Sequence, residues 1–130
     1  MEFMDLLREN DFQLKWKNEL GSIMVLTYGS DGSLSGTYQS GAGNDDVFQL
    51  SGRWDTRPSQ NNSYAVGWTV VWANNSKSVD LDEVTSWSGH HVLNALTYVI
   101  KSTWLLTQDT VIKDDWKSTL VGQDTFTISS

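Results

Sequence analysis

Eight short runs of strand-type residues, each closed off by turn chemistry, constrain this chain more than any other feature. They cover residues 13–19, 23–28, 34–40, 47–54, 64–73, 84–92, 96–107 and 119–128. Gly29-Ser30-Asp31-Gly32-Ser33 and Gly41-Ala42-Gly43-Asn44 have the composition of hairpin connections. Polar Thr56 to Ser63, holding the single proline Pro58, reads as a loop. The one candidate helical turn after residue 12 is Lys113 to Ser118, too short to cross between parallel strands. The expected class is therefore all-β, an antiparallel sandwich or a closed barrel.

At 130 residues the chain is long enough for one core and too short for two. The opening ten residues differ in kind: Phe3, Met4, Leu6 and Leu7 lie at helical spacing between charges. Residues 1–12 are thus expected to be an extension, a helical turn or disordered, ahead of a domain spanning 13–130. Nine Lys+Arg against sixteen Asp+Glu give a net charge of −7, which argues against a nucleic-acid partner. Cysteine is absent, so disulfides, thiol nucleophiles and Cys-ligated zinc are excluded. No apolar run is long enough for a membrane-crossing helix, and no secretory signal pattern opens the chain. That fits an intracellular protein, or a secreted one whose signal has been removed.

Seven tryptophans are the outstanding compositional feature. Strand side chains alternate, so residues two apart share a face. Trp16 then sides with Asn18, Tyr38 with Ser40, and Trp68 with Val70 and Trp72. Thr85 sides with Trp87, Trp104 with Leu106, and Gly122 with Asp124 and Phe126. If these faces point inward, indoles surround a small set of amides, hydroxyls and one carboxylate, which is the makeup of a small-molecule pocket. If they do not, the indoles are core packing and the polar groups face solvent. Pattern alone leaves both arrangements open.

The residues also carry a family likeness. The stretches concerned begin with Trp16-Lys17-Asn18-Glu19-Leu20-Gly21-Ser22, Asp31-Gly32-Ser33-Leu34-Ser35-Gly36-Thr37-Tyr38-Gln39-Ser40 and Leu50-Ser51-Gly52-Arg53. They continue with Gly67-Trp68-Thr69-Val70-Val71-Trp72, Thr85-Ser86-Trp87-Ser88-Gly89, Thr103-Trp104-Leu105-Leu106-Thr107 and Trp116-Lys117-Ser118-Thr119-Leu120-Val121-Gly122-Gln123-Asp124-Thr125-Phe126. In this order they resemble the avidin family, its streptavidin branch most closely. The resemblance implies an eight-stranded antiparallel up-and-down β-barrel that binds biotin without changing it, the barrel type for which streptavidin is a standing example.

By that resemblance, Asn18, Ser22 and Tyr38 are the three donors to the ureido oxygen. Asp124 and Ser40 accept the two ureido N–H groups, and Thr85 lies near the thioether sulfur. Trp72, Trp87 and Trp104 box the rings and tail, with Leu106 beside them. Asn44 meets the tail carboxylate through its backbone, and Trp116 is a lid lent by a neighbouring subunit, so a homo-oligomer, a tetramer, is implied. Biotin is the ligand; no cofactor and no metal are implied. The residue replacing the family's tail-binding serine stays open among Glu83, Ser76 and Ser78, because two extra residues lie between Trp72 and Trp87. Gln123 stands where streptavidin carries an interface histidine.

Other readings have less behind them. A lipocalin-like carrier of another apolar ligand does not explain Asn18, Ser22, Tyr38 and Asp124 together. A carbohydrate-binding module would use exposed indoles, and no acid pair or Ser/His/acid set supports an enzyme. His90-His91 lacks a third ligand for a metal, and both histidines are expected at solvated or edge positions. The acidic stretches Asp45-Asp46 and Asp80-Leu81-Asp82-Glu83 lack calcium-loop spacing.

Overall fold

A computed structural model describes residues 10–41, 46–57, 63–73, 83–94, 97–108 and 119–129. They form eight strands: β1 (Phe12–Asn18), β2 (Ile23–Tyr28), β3 (Ser33–Gln39), β4 (Val47–Trp54), β5 (Ser63–Val71), β6 (Glu83–Asn94), β7 (Thr97–Gln108) and β8 (Thr119–Ile128). Each pairs antiparallel with the next, and β8 returns to β1, closing the barrel. Residues 1–9 of the extension expected over 1–12, the loop around Pro58 and the turn at Lys113 to Ser118 lie outside the described residues.

Closure resolves the question that alternation left open. A barrel has one inside, and the faces carrying the indoles are turned toward it. Trp16, Trp68 and Trp87 are buried together with Met24, Leu26, Tyr28, Leu50, Val70, Ile100 and Phe126. The intervening residues, such as Lys15, Lys17, Ser51, Ser86, Ser88 and Gln123, are exposed. Gly36 shows how tightly neighbouring strands approach: at φ +154° it sits where a Cβ would overlap the Val25 carbonyl oxygen.

The strands differ in how far they pair. β6 and β7 are matched over twelve positions, from Glu83↔Gln108 to Asn94↔Thr97. The β1–β8 seam has only three, Trp16↔Ile128, Lys17↔Thr127 and Asn18↔Phe126. A bond from the Ser129 N–H to the Lys15 carbonyl, 2.8 Å, extends the seam at one end.

His91 corrects the expectation of a solvated or edge histidine. It is fully buried on the inner face of β6, four residues beyond Trp87, while His90 faces outward. Its Nδ1 donates to the Tyr64 carbonyl at 3.3 Å, since a carbonyl only accepts. Nε2 is then the acceptor of a hydrogen bond donated by the Tyr28 hydroxyl at 2.7 Å. Trp16 lies 5.7 Å from the imidazole, ring to ring, and Trp54 meets Tyr28 edge-on at 5.5 Å. Alternation puts His91 on the face of Thr85 and Trp87, but Tyr28 lies 63 residues away and only closure brings it there.

Burial pulls the His91 pKa down to about 4, against a smaller opposing pull from the Tyr64 carbonyl. The unfolded chain therefore binds the extra proton first as pH falls below about 6.5. Stability should fall between about pH 6.5 and 4 by up to about 3 kcal/mol on this account, at about 1.4 kcal/mol per pKa unit. Denaturant unfolding of wild type and His91→Gln at pH 7, 5.5 and 4 tests it. The wild type should lose ground to the variant steadily over that window, and parallel curves would remove His91 as the cause.

Candidate ligand site

The site begins in the turn that joins β1 to β2. Gly21, at φ +84°, lets the chain reverse so that its N–H reaches the Asn18 carbonyl at 3.1 Å. The Asn18 side chain stays inside that turn: Oδ1 accepts the N–H groups of Leu20 at 3.0 Å and Ser22 at 2.9 Å. With its oxygen so engaged, the amide offers the site only donors. Ser22 is buried, and its hydroxyl oxygen accepts the Gly41 N–H at 3.3 Å.

Tyr38, on β3, brings a second hydroxyl to the same place, hydrogen-bonded to Ser22 and Asn18. Burial, with smaller contributions from the charges of Asp124 and Glu19, pushes its pKa up to about 12, so it stays a protonated donor. Asp124 on β8 is the group of opposite character, buried and accepting the Trp87 indole N–H at 3.2 Å. Desolvation raises its pKa, Glu19 raises it further, and the donors Trp87 and Asn18 oppose them. The Ser102 hydroxyl anchors the Asp124 carbonyl at 3.1 Å.

The walls are aromatic. Trp87 stacks on Trp68 at 5.5 Å and 15°, and Tyr38 lies 5.0 Å from Trp87. Trp72 meets Tyr38 and Phe48 edge-on at 5.6 and 5.0 Å, and its N–H is held by the Thr85 hydroxyl at 2.7 Å. Edge-on and offset contacts suit the indole quadrupole and leave each ring one orientation. Trp104 depends on a missing side chain. Gly122, its cross-strand partner, lies under the indole, and a Cβ there would overlap Trp104 Cζ2 and Cε2.

These groups enclose a cavity of about 260 Å³. The structure brings to it Asn18, Ser22, Tyr38, Ser40, Trp72, Thr85, Trp87, Trp104, Leu106 and Asp124, ten residues singled out in the sequence. Asn44, Trp116, Ser76 and Ser78 lie outside the described residues. Glu83 opens β6 and its carbonyl accepts the Trp72 backbone N–H at 3.0 Å, but it does not line the cavity. Leu20 does line it, and sequence reasoning passed over it. It is 73 % exposed, an unusual position for a leucine, and the signal was a large apolar residue between two polar site residues in a tight turn. Among the described residues no three His, Cys, Asp or Glu side chains gather to hold a metal ion.

Three donors and one acceptor gathered in one cavity between flat walls suit a planar polar group that carries both an oxygen and N–H groups. Such an interior, in a closed antiparallel barrel, places the chain among the small-ligand up-and-down barrels. The family model for the avidin family matches residues 7–129. The chain is also 36% identical over 120 residues to avidin-related protein 4/5 of Gallus gallus, covering 87% of this chain and 74% of that protein. The chain belongs to the avidin family.

Gly122→Ala tests the packing beneath Trp104. Forcing the indole aside should cost about 1–3 kcal/mol of stability, the usual range for overpacking. It should also move Trp104 toward water and shift its emission to the red. Unchanged stability and emission would show that the ring has room the geometry does not give it.

Proposed function

We propose that this protein binds biotin in the barrel cavity and does not chemically transform it. The observation that carries the reading is the convergence of Asn18, Ser22, Tyr38 and Asp124 within indole walls. A urea has one acceptor oxygen and two N–H donors. Donors on the oxygen draw electron density toward it, and a carboxylate on an N–H pushes density the same way, so the two ends reinforce each other. Ser40 takes the second N–H and Thr85 stands by the ring sulfur. The indoles cover the rest of the ligand with little side-chain entropy to lose.

Assembly belongs to the same reading. Val71, Leu105 and Val121, on the outward faces of β5, β7 and β8, are 60%, 50% and 65% exposed. Leu105 and Val121 are cross-strand partners, so the apolar surface is continuous there. That surface supports a homo-oligomer, a tetramer in keeping with the family, in which Trp116 closes the site of a neighbouring subunit.

Titration with biotin, followed by tryptophan fluorescence and by native mass spectrometry, reads ligand and stoichiometry together. Saturation at one biotin per chain is expected; no binding at micromolar biotin would end the reading. Asp124→Ala should weaken binding by about 2–3 kcal/mol, the range for a hydrogen bond to a charged group. Near-wild-type affinity there would remove the polarised urea. Trp116→Lys should loosen biotin and subunit pairing together, whereas a monomer that binds tightly would sink the shared lid.

A further inference from the structure

The last backbone pair of the β1–β8 seam is Asn18↔Phe126. The next rung would be Glu19 opposite Thr125, and there the main chain of β1 has already left for the turn. A side chain completes the rung: Glu19 Oε2 accepts the Thr125 N–H at 3.0 Å, joining residues 106 positions apart in sequence. On one side of this clasp is the turn that holds Asn18 and Ser22. On the other is Asp124, one residue before Thr125. The clasp thus spans the two halves of the polar site.

We propose that Glu19 is a positioning residue of the ligand site, its carboxylate closing the seam where the backbone stops and setting where the Asp124 carboxylate stands. This rests on the biotin-binding reading for its ligand, though not for its geometry. Glu19 also interacts directly with the Asp124 carboxyl, by charge and by hydrogen bond. A neighbouring carboxylate disfavours ionisation of a carboxyl. Glu19 thus makes Asp124 hold its proton more readily, and a ligand that needs Asp124 as an anionic acceptor competes with that proton. The remaining groups facing Asp124 are the Asn18 amide from β1, the Tyr38 hydroxyl from β3 and the Trp87 N–H from β6. The charged side chains nearby, Lys17 on β1, His90 on β6 and Lys101 on β7, are on the exposed outer face.

The sign follows. Affinity should fall as pH drops through the Asp124 titration, approaching tenfold per pH unit for one linked proton. Glu19→Gln keeps an acceptor for the Thr125 N–H and removes the charge, so Asp124 should ionise at lower pH. Glu19→Ala removes the clasp as well.

The experiment measures biotin Kd from pH 3.5 to 8 for wild type and Glu19→Gln, with thermal melting at each pH to confirm folding. The midpoint of the affinity loss is expected to move down by at least about half a pH unit in Glu19→Gln. Superimposable profiles would overturn the proposal. In Glu19→Ala, exchange of the Thr125 amide hydrogen should quicken by about tenfold or more; unchanged protection would overturn it equally. A ligand-free arm follows the Asp124 carboxyl carbon by NMR in wild type and Glu19→Gln. If wild type fails to bind biotin, the functional reading falls, while that titration still decides whether Glu19 governs Asp124.

Discussion

The return of β8 to β1 is the constraint on which the rest of this structure depends. An eight-stranded sheet left open would present two unpaired edges and one face of indoles to water. Closed, the same ladder has no edge, and every inward side chain is committed to a shared interior. That closure is also the most lightly made junction in the barrel, three register pairs against the twelve between β6 and β7. Asn18 ends it on β1, and Asp124 lies two residues from its end on β8. The polar site is therefore built across the junction, and its geometry is only as good as the seam beside it.

Polar groups placed in such a wall are costly when unsatisfied, typically by about 1–3 kcal/mol each. The barrel meets this cost by pairing several site groups with one another. Asn18 serves two turn N–H groups, Trp72 is tied to Thr85, and Trp87 to Asp124. These bonds orient the side chains before any ligand arrives, so less freedom remains to be lost on binding. A carboxylate in this setting keeps its place because indole and amide donors offset part of its desolvation.

The far end of the barrel uses the same physics for a different purpose. Tyr28, His91 and the Tyr64 carbonyl form a short chain of hydrogen bonds inside an aromatic shell. Each member has its partner, and the imidazole is held neutral. This end fills the barrel with rings, whereas the Trp72 and Trp104 end leaves a cavity. The contrast follows from side-chain size on shared faces: β6 carries His91 at one end and Thr85 at the other.

The sequence by itself determined the strands and the faces, because alternation is a local property that each segment carries in its own residues. It also named most of the cavity, since Asn18, Tyr38, Thr85, Trp87 and Asp124 fall on indole-bearing faces and match a known family pattern. It did not determine which way those faces point. That direction exists only once the sheet closes. The errors have the same origin. His91 reads as solvated or edge in the linear chain because its partner Tyr28 is distant in sequence, and Leu20 gives no sign of its place because a turn residue lines a cavity only when the opposite wall is present. The clasp from Glu19 to Thr125 is likewise invisible in a linear chain, where its two ends lie 106 residues apart. Local pattern decides what each strand is, and tertiary closure decides what it faces, because inside and outside are defined by the whole ladder and by no single strand.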